Sequence, residues 1–156
     1  MDQSSITSFS GNNHYLSNFY PSPIQARPYG LTTLPLITYP TVEHYFQAHK
    51  VRFDNSTLLH HLYAAGSGTP GQAKKYGRRV PLRGDWEDVK TSVMWDALMF
   101  KFTQHTLLYR KLAATGDAHL EEGNHWGDRF WGTVNGEGEN HLGKLLMRLR
   151  TVLTTQ

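Results

Sequence analysis

The chain has 156 residues, of which 38% are hydrophobic and 12% aromatic, enough to bury one sizeable core. It contains no cysteine, which excludes disulfide bonds, thiolate nucleophiles and thiolate metal sites. Its formal net charge of +3 suits an anionic ligand but is no nucleic-acid signature, and its nine histidines lack metal-ligand spacing. With no membrane-spanning apolar run and no signal peptide at the first residues, we expect a soluble, cytoplasmic protein.

In chain order, the first 40 residues are rich in turn formers and aromatic residues. They predict short strands at 6–10, 24–29 and 34–38, with a turn at 11–13. Helical spacing follows, with predicted helices at 41–52, 55–64, 70–77, 86–104, 105–114 and 140–153, and a loop with short extended pieces at 120–136. The predicted fold class is α+β: a predominantly helical single domain over 1–156, with a small β-sheet built mainly from the N-terminal region.

The first predicted helix carries a row of polar side chains. The Tyr-Pro-Thr segment at 39–41 predicts an extended entry followed by a threonine N-cap. If the helix begins there, Glu43, Gln47 and Lys50 are spaced i, i+4 and i+7 and share one face. A carboxylate, an amide and an ammonium in one row can orient a sugar and move a proton. Ordinary polar pairs on a solvated helix face would give the same spacing.

Two loops combine hydrogen-bonding groups with aromatic rings. Residues 16–21, Leu-Ser-Asn-Phe-Tyr-Pro, predict a rigid aromatic loop whose Ser and Asn bond either locally or to a ligand. Residues 128–132, Asp-Arg-Phe-Trp-Gly, join an acid to a stacking surface. We expect the second loop to be functional, because loop acids beside tryptophan serve sites more often than acids on helix faces do.

Basic residues accumulate on two predicted helices. The segment 73–79 ends one helix at a glycine C-cap with a basic cluster, which suits a phosphate but also complements the helix dipole. The next helix begins at Trp86 and aligns four further residues with it: Lys90, Met94, Ala97 and Lys101. An aromatic ring and two lysines would suit a phosphate-bearing nucleotide, and a partly buried lysine edge explains the row equally well.

Together these segments resemble the YbiA/NADAR family. The resemblance spans nearly the whole chain, from Phe9 and LSNFYPSPI (16–24) to LGKLLMRLR (142–150). The matching segments between them are TVEHYFQAHK (41–50), AKKYGRRVPLRGDWEDVK (73–90), KF (101–102), DRFWG (128–132) and GENHLG (138–143). The segment EEGNHWG (121–127) departs from the short loop that other members often carry there.

The resemblance implies an N-glycosidase, which hydrolyses the bond between a ribose C1 and a nitrogen of a guanine-like base. Two substrate groups are associated with the family: ADP-ribose attached to guanine, and the ribosylamino-pyrimidine phosphate intermediates of riboflavin synthesis. The tryptophans and the spread of basic residues favour the first, in DNA or RNA. A module that binds ADP-ribose without cleaving it is the alternative from another class. We expect no cofactor, no metal ion and no membrane partner.

The chemistry of C–N cleavage assigns roles to three residues. Positive charge builds at C1 and negative charge on the departing base, so a carboxylate near C1 and an acid at the leaving group are needed. Glu43 and Asp128 are the expected pair, which requires the loop of Asp128 to lie over the N-terminal part of the first helix. Lys50 offers a second route, in which its amine forms a Schiff base with C1 of an opened ribose. Both routes stay open.

The remaining expected site residues bind the substrate. Among them, Asn18 and Gln47 would orient ribose hydroxyls, as would Asn140 unless it caps the last helix. Lysine and arginine side chains would meet phosphate, and tryptophan rings would stack on bases. The complete expected ligand-binding set is Ser17, Asn18, Phe19, Gln47, Lys74, Arg78, Trp86, Lys101, Trp131, Gly132 and Asn140.

Overall fold

The computed structural model describes residues 4–54 and 57–155. The segment Asn18–Gln104 forms one compact unit, and the described residues that precede and follow it form a second. The extent of a single domain over 1–156 stays a prediction. The predicted fold class is confirmed: the chain is mainly helical, with a small antiparallel sheet from its N-terminal region.

The sheet of the first unit has two short strands. Strand β1 (Ile24–Ala26) pairs antiparallel with β2 (Ile37–Tyr39), and Ile24 lies opposite Tyr39. Both strands are shorter than the predicted 24–29 and 34–38. Pro28 and Pro35 lie just outside the paired residues, and a proline has no backbone N–H to donate to a ladder.

The strand predicted at 6–10 is wrong. Ile6 makes one isolated parallel bridge to Leu120, in which its N–H donates to the carbonyl of His119 at 2.8 Å. The residues at 11–13, expected as a turn, begin a 3₁₀ helix at Gly11–Leu16. Gly11 adopts a φ of 55°, in the left-handed region that favours glycine, so the chain turns there instead of extending a ladder.

Four helices complete the unit formed by Asn18–Gln104. They are α1 (Val42–Ala48), α2 (Leu58–Ala65), α3 (Pro70–Gly77) and α4 (Trp86–Gln104). The bounds of α3 and α4 are those predicted, whereas residues 55 and 56 of the predicted second helix lie outside the described residues. Helix α1 packs against the other three and is buried along its whole length. It is therefore the centre of this unit.

Helix α1 ends at Ala48, four residues before the predicted end. His49 is the C-cap, and the Lys50 carbonyl accepts a hydrogen bond from the Arg83 N–H at 2.8 Å. That carbonyl is thus satisfied by a distant segment instead of by a further helical turn. Lys50 lies two residues beyond the helix, which corrects the expected i, i+4, i+7 row on one helix face.

The second unit contains α5 (Thr106–Ala114) and α6 (His141–Thr154), which contact each other and begin one residue later than predicted. Leu142, Leu146 and Leu149 are fully buried along α6, as the amphipathic spacing indicates. The segment 120–136 is a loop with isolated bridges, including Gly123 to Thr133, as expected. Across residues 4–54 and 57–155, no helix combines the length and apolar character that crossing a bilayer requires.

Two buried histidines connect α1 and α2 within the first unit. His49 Nδ1 donates to the Tyr45 carbonyl at 2.6 Å, so its Nε2 is the acceptor for the Tyr29 N–H at 2.9 Å. His61 Nε2 lies 2.8 Å from the Tyr39 hydroxyl, and the two imidazole centroids are 4.8 Å apart. Burial lowers the pKa of His49 to about 3 and that of His61 to about 4. Both rings are therefore neutral in the folded protein near neutral pH.

We expect the free energy of unfolding to fall as the pH is lowered from about 7 towards about 4. Histidine in an unfolded chain has a pKa of about 6.5, so between that value and the lowered pKa values the unfolded chain binds more protons. This stabilisation is complete above about pH 6.5 and is lost progressively below it, by at most roughly 1.4 kcal/mol per unit of pKa difference. Urea unfolding at a series of pH values measures the effect.

Two variants serve as controls for this pH dependence. His49→Gln removes one of the buried rings and should make the dependence shallower. His125→Gln changes an exposed histidine and should keep the slope of the unmodified protein. An unfolding free energy that stays constant over the same pH range in the unmodified protein would contradict the expectation.

Candidate active site

The N-terminus of α1 fixes the position of Glu43. Thr41 is the N-cap, as predicted, and its Oγ1 accepts the His44 N–H at 3.2 Å. The Glu43 N–H donates to the backbone carbonyl of Asn18 at 3.1 Å. Two of the free N–H groups of the first turn are thereby satisfied, and the positive end of the helix dipole favours a carboxylate at this position.

Glu43 and Gln47 form a buried pair on α1. Gln47 Nε2 donates to Glu43 Oε1 at 2.7 Å, and their exposed fractions are 3% and 7% respectively. A Cβ atom at Gly77 of α3 would overlap Gln47 Oε1, so only glycine lets α3 approach this closely. The predicted role of Gly77 as a C-cap is wrong: it is the last residue of α3, and Arg78 is the C-cap.

Lys50 follows α1 and is half-buried. Burial lowers the pKa of its amine, the Glu43 carboxylate raises it in opposition, and the Arg78 and Lys74 cations lower it further. A lowered pKa increases the fraction of neutral amine near neutral pH, and a neutral amine is a nucleophile. The arrangement thus sets an amine of lowered pKa among a carboxylate and two cations.

Lys74 and Arg78 lie one turn apart, at the C-terminal end of α3. Arg78 is exposed and Lys74 is half-buried, and both are close enough to Lys50 to affect its pKa. Three cations against one buried carboxylate make a local excess of positive charge. Such a cluster can hold a phosphate through charge-assisted hydrogen bonds.

Two buried amides near this cluster have an acceptor without a partner. Asn18 Oδ1 and Gln47 Oε1 accept no hydrogen bond from any described residue, although Asn18 Nδ2 lies 3.5 Å from Met94 Sδ. A buried acceptor without a bond costs roughly 1–3 kcal/mol. A ligand hydroxyl or amine that donated to either oxygen would recover that free energy.

The aromatic residues expected in the site differ in exposure. Trp86 is 6% exposed and packs on Phe46 of α1, with ring centroids 5.0 Å apart. Its contribution to the core is therefore established, and stacking on a substrate base stays a prediction. Phe19 is 38% exposed in the turn after Asn18, where its ring is accessible to a ligand.

Lys101 is completely buried on α4. Its Nζ lies 5.1 Å from the centroid of the Phe102 ring and 5.7 Å from that of Tyr20, and burial lowers its pKa to about 7. In the predicted row, Trp86, Met94, Ala97 and Lys101 are buried. Lys90 is half-buried and pairs with Glu87 at 2.6 Å. A phosphate contact by Lys101 stays a prediction.

Asp128, Trp131 and Gly132 lie in the second unit. Asp128 Oδ1 accepts the N–H groups of Phe130 at 3.1 Å and of Trp131 at 2.9 Å, so this carboxylate shapes its own loop. Trp131 is half-buried, and its ring meets that of Phe130 edge to face. A Cβ at Gly132 would overlap the Glu122 carbonyl oxygen, which explains the glycine there.

Asn140 and Ser17 have local structural contacts. Asn140 occupies the N-cap position of α6, but its side chain makes no cap bond. Instead its Oδ1 accepts the Glu122 N–H and its Nδ2 donates to the Leu120 carbonyl, both at 3.0 Å. The Ser17 N–H donates to the His14 carbonyl at the end of the 3₁₀ helix. A ligand contact by either residue stays a prediction.

The structure brings part of the expected set together within one unit. Gln47 bonds to Glu43, the charges of Glu43, Lys74 and Arg78 all affect Lys50, and the Asn18 carbonyl bonds to the first turn of α1. The packing role of Gly77 was missed in the sequence. The signal was available, because Ala73 and Gly77 are small residues spaced i, i+4 on a helix, as close helix packing requires.

The histidines and acids of the described residues give no indication of a metal centre. Over 4–54 and 57–155, no group of three or more His, Asp or Glu side chains could hold a metal ion. The chemistry open to Glu43, Lys50, Lys74 and Arg78 is that of a carboxylate, an amine and two further cations.

Comparisons with known proteins give consistent similarities. Residues 7–154 match the model of the NADAR domain. The N-glycosidase YbiA of Shigella boydii serotype 4 (strain Sb227) is 42% identical over 120 residues, which cover 76% of this chain and 73% of that protein. The NMR structure of the Escherichia coli protein YbiA has a TM-score of 0.79 and 38% identity, covering 99% of this chain and 88% of that one.

A longer relative is similar over most of this chain. A riboflavin biosynthesis protein of Vibrio vulnificus (strain YJ016) is 37% identical over 145 residues, which are 91% of this chain. They are 36% of that protein, so the chain spans about a third of its length. The similarity therefore concerns one portion of the Vibrio protein.

We expect Glu43→Gln to lower the pKa of Lys50 and Arg78→Gln to raise it. The first change removes the carboxylate that favours the charged amine, and the second removes a cation that disfavours it. The measurement is an NMR titration of the Lys50 Cε signal. That signal is assigned by its disappearance in the Lys50→Arg variant. Glu87→Gln, on an exposed acid that pairs with Lys90, is the control and should change nothing. Shifts of the same sign in the two site variants would contradict this electrostatic arrangement.

Proposed function

Because this chain belongs to the NADAR family, as its motifs implied, we propose that it is an N-glycosidase that removes ADP-ribose from ADP-ribosylated guanine in DNA or RNA. Its similarity to a protein named N-glycosidase supports a hydrolase that acts on N-glycosyl bonds. One observation carries the proposal further: the half-buried Lys50 amine, with a lowered pKa, lies among Glu43, Lys74 and Arg78.

Lys74 and Arg78 are the proposed phosphate-binding pair. ADP-ribose carries two phosphates, and two cations one turn apart on α3 suit a diphosphate. With the diphosphate at the end of α3, the attached ribose would extend towards Lys50, whose pKa both cations affect. The unpaired acceptors of Asn18 and Gln47 would then receive hydrogen bonds from ribose hydroxyls.

In the lysine route, the bond between C1 and the ring oxygen breaks, the proton of the guanine nitrogen passes to the ring oxygen, and C1 is left double-bonded to that nitrogen. The neutral Lys50 amine adds to C1, its two protons pass to the guanine nitrogen, and the bond from C1 to guanine breaks. Water then hydrolyses the lysine imine, which restores the amine and releases ADP-ribose. The sum is one water consumed for each guanine base released.

In the direct route, no covalent intermediate forms. Glu43 stabilises the positive charge at C1 or activates water, while Asp128 protonates the leaving base. The hydrogen bond from Gln47 holds the Glu43 carboxylate in one orientation for this task. For Asp128, a role in the reaction must be separated from its two bonds to the loop backbone.

A second candidate substrate is favoured by the Vibrio relative. That protein is named for riboflavin biosynthesis, which supports the ribosylamino-pyrimidine phosphate intermediates as substrates of this chain. These compounds also join a ribose to nitrogen, but they need one phosphate site instead of two. The lysine and carboxylate chemistry would be the same for both substrates.

The test is a direct assay of the purified protein with guanine-ADP-ribosylated oligonucleotide and, separately, with the riboflavin intermediates. Release of ADP-ribose from the oligonucleotide supports the proposal. Cleavage of the riboflavin intermediates alone would replace it with the second candidate. Tight binding of ADP-ribose with neither substrate cleaved would identify a binding module.

We expect Lys50→Ala and Glu43→Gln each to lower kcat by about 10²–10⁴-fold while ADP-ribose still binds, the scale for groups that act in the transition state. If Lys50 is covalent, borohydride should trap a sugar adduct on the unmodified protein but not on Lys50→Ala. Lys50→Arg is the matched control, because it keeps the charge and cannot form a Schiff base at neutral pH. An active Lys50→Arg would exclude the lysine route, and full activity of Lys50→Ala would remove Lys50 from the site.

Asp128→Asn separates chemistry from loop structure in the same assay. An asparagine Oδ1 can still accept the two backbone N–H groups, whereas it cannot donate an acidic proton. A fall in kcat with an intact fold assigns Asp128 to the reaction. Unchanged activity limits it to shaping the loop.

We expect Lys74→Ala and Arg78→Ala to raise KM by about tenfold to a hundredfold with a much smaller change in kcat. A charge-assisted hydrogen bond to phosphate is present in the ground state and the transition state alike, so its loss weakens binding. Lys144→Ala, at an exposed lysine of α6, is the control for a lost positive charge. Unchanged KM in both site variants, with a normal fold, would place the phosphate elsewhere.

A further inference from the structure

Positive charge is concentrated in one part of the sequence. Residues 55–84 contain five Lys and Arg residues and no Asp or Glu. The rest of the chain has 11 basic and 13 acidic residues, so this segment accounts for the whole net charge of +3. Its described residues include α2 and α3, which contact each other.

Four cations lie on α3 or in the turn that follows it. Lys74 and Arg78 affect the pKa of Lys50, whereas Lys75 lies on α3 and Arg79 lies in the turn after its C-cap. Successive helix residues are rotated by about 100°, so Lys75 faces a different direction from Lys74. Lys75 and Arg79 are both exposed, and the proposed phosphate site does not use them.

Two tyrosine rings, one of them exposed, meet between α2 and α3. Tyr63 of α2 is 64% exposed, and its ring centroid lies 4.5 Å from that of Tyr76 on α3. Tyr76 is held in place by His60, whose Nδ1 lies 2.7 Å from the Tyr76 hydroxyl. We define the α2–α3 face as Tyr63, Lys75, Tyr76 and Arg79.

We propose that the α2–α3 face binds single-stranded nucleic acid, namely the nucleotides that flank the modified guanine. Two exposed cations in a segment without acidic residues complement phosphates, and an exposed tyrosine ring supplies a surface on which a base stacks. A purely acidic partner would leave the exposed ring unused. The inference rests on the proposed function for the identity of the substrate, whereas strand binding is measured without any cleavage.

Helix α3, which carries Lys75 and Tyr76 of this face, has a well-fixed N-terminus. A capping box closes the N-terminus of α3: Thr69 Oγ1 accepts the Gln72 N–H at 3.1 Å, and the Gln72 side chain accepts the Thr69 N–H at 2.9 Å. Pro70 occupies the first helical position, which further fixes the backbone. At the other end of α3, the Arg79 N–H donates to the Tyr76 carbonyl at 2.9 Å, which holds the turn that carries Arg79.

The experiment is fluorescence anisotropy with the full chain and a labelled, unmodified DNA strand of about twelve nucleotides, within the usual site size. Tyr63→Leu should weaken binding about tenfold, because it keeps apolar area but loses the ring, and Tyr63→Phe should bind like the unmodified protein. Lys75→Gln combined with Arg79→Gln should weaken binding by a similar factor. It should also reduce the slope of log K against log salt by about 1.4, two contacts at about 0.7 each.

The matched control for the double charge variant is Lys144→Gln combined with Arg148→Gln. This pair has the same i, i+4 spacing and the same two charges, on exposed positions of α6. It should leave binding of the strand unchanged. Equal weakening by both double variants would show attraction by overall charge alone and would overturn the proposal, as would no binding of the strand by the unmodified protein.

A labelled peptide of glutamate residues tests the competing occupant. Peptide binding as tight as that of the strand, with no effect of Tyr63→Leu on either, would make the face a site for acidic proteins and overturn the proposal. A failure of the proposed N-glycosidase function can be told apart from a failure of strand binding by the α2–α3 face. It would appear as a lack of cleavage of ADP-ribosylated guanosine, a small substrate whose turnover the Lys75 and Arg79 variant should leave unchanged.

Discussion

The complete burial of α1 is the constraint on which the candidate site depends. A buried helix usually carries apolar residues, yet α1 buries Glu43 in its first turn and Gln47 in its last. A buried carboxylate is costly unless it is hydrogen-bonded, and Gln47 supplies the bond at 2.7 Å. This pairing leaves the amide oxygen of Gln47 without a partner, so folding alone does not complete the network. An incomplete buried network is a place where a ligand gains free energy.

Burial lowers the pKa of two lysines, Lys101 and Lys50, to which the structure gives different environments. Lys101 is completely enclosed, and desolvation alone lowers its pKa to about 7. Lys50 is half-buried, and its pKa is lowered by burial against the opposing effect of Glu43. A nucleophile must be both partly neutral and reachable by the substrate, and the lowered pKa and partial exposure of Lys50 favour it over Lys101 for that proposed role. Close packing of α3 on Gln47, which Gly77 allows, brings the cations of α3 near the same amine.

The sequence predicted those helices whose ends are set by residues within or next to the helix itself. The bounds of α3 and α4 were predicted from helical spacing, and in the structure a capping box at Thr69 and Pro70 at the first helical position define the start of α3. The end of α1 was not predictable locally, since the bond from Arg83 to the Lys50 carbonyl comes from a distant segment. In the site, Glu43 with Gln47 followed from i, i+4 spacing. The roles of Asp128 and Asn140 in their own loops depend on backbone contacts that no side-chain pattern reveals.

The most direct measurement is a crystal structure of the protein with ADP-ribose. The account predicts the diphosphate at Lys74 and Arg78, ribose hydroxyls within hydrogen-bonding distance of Asn18 and Gln47, and C1 beside the Lys50 amine. The orientation of Gln47 should be retained, with its amide still bonded to Glu43. ADP-ribose bound elsewhere, with C1 beyond the reach of both Lys50 and Glu43, would contradict the account.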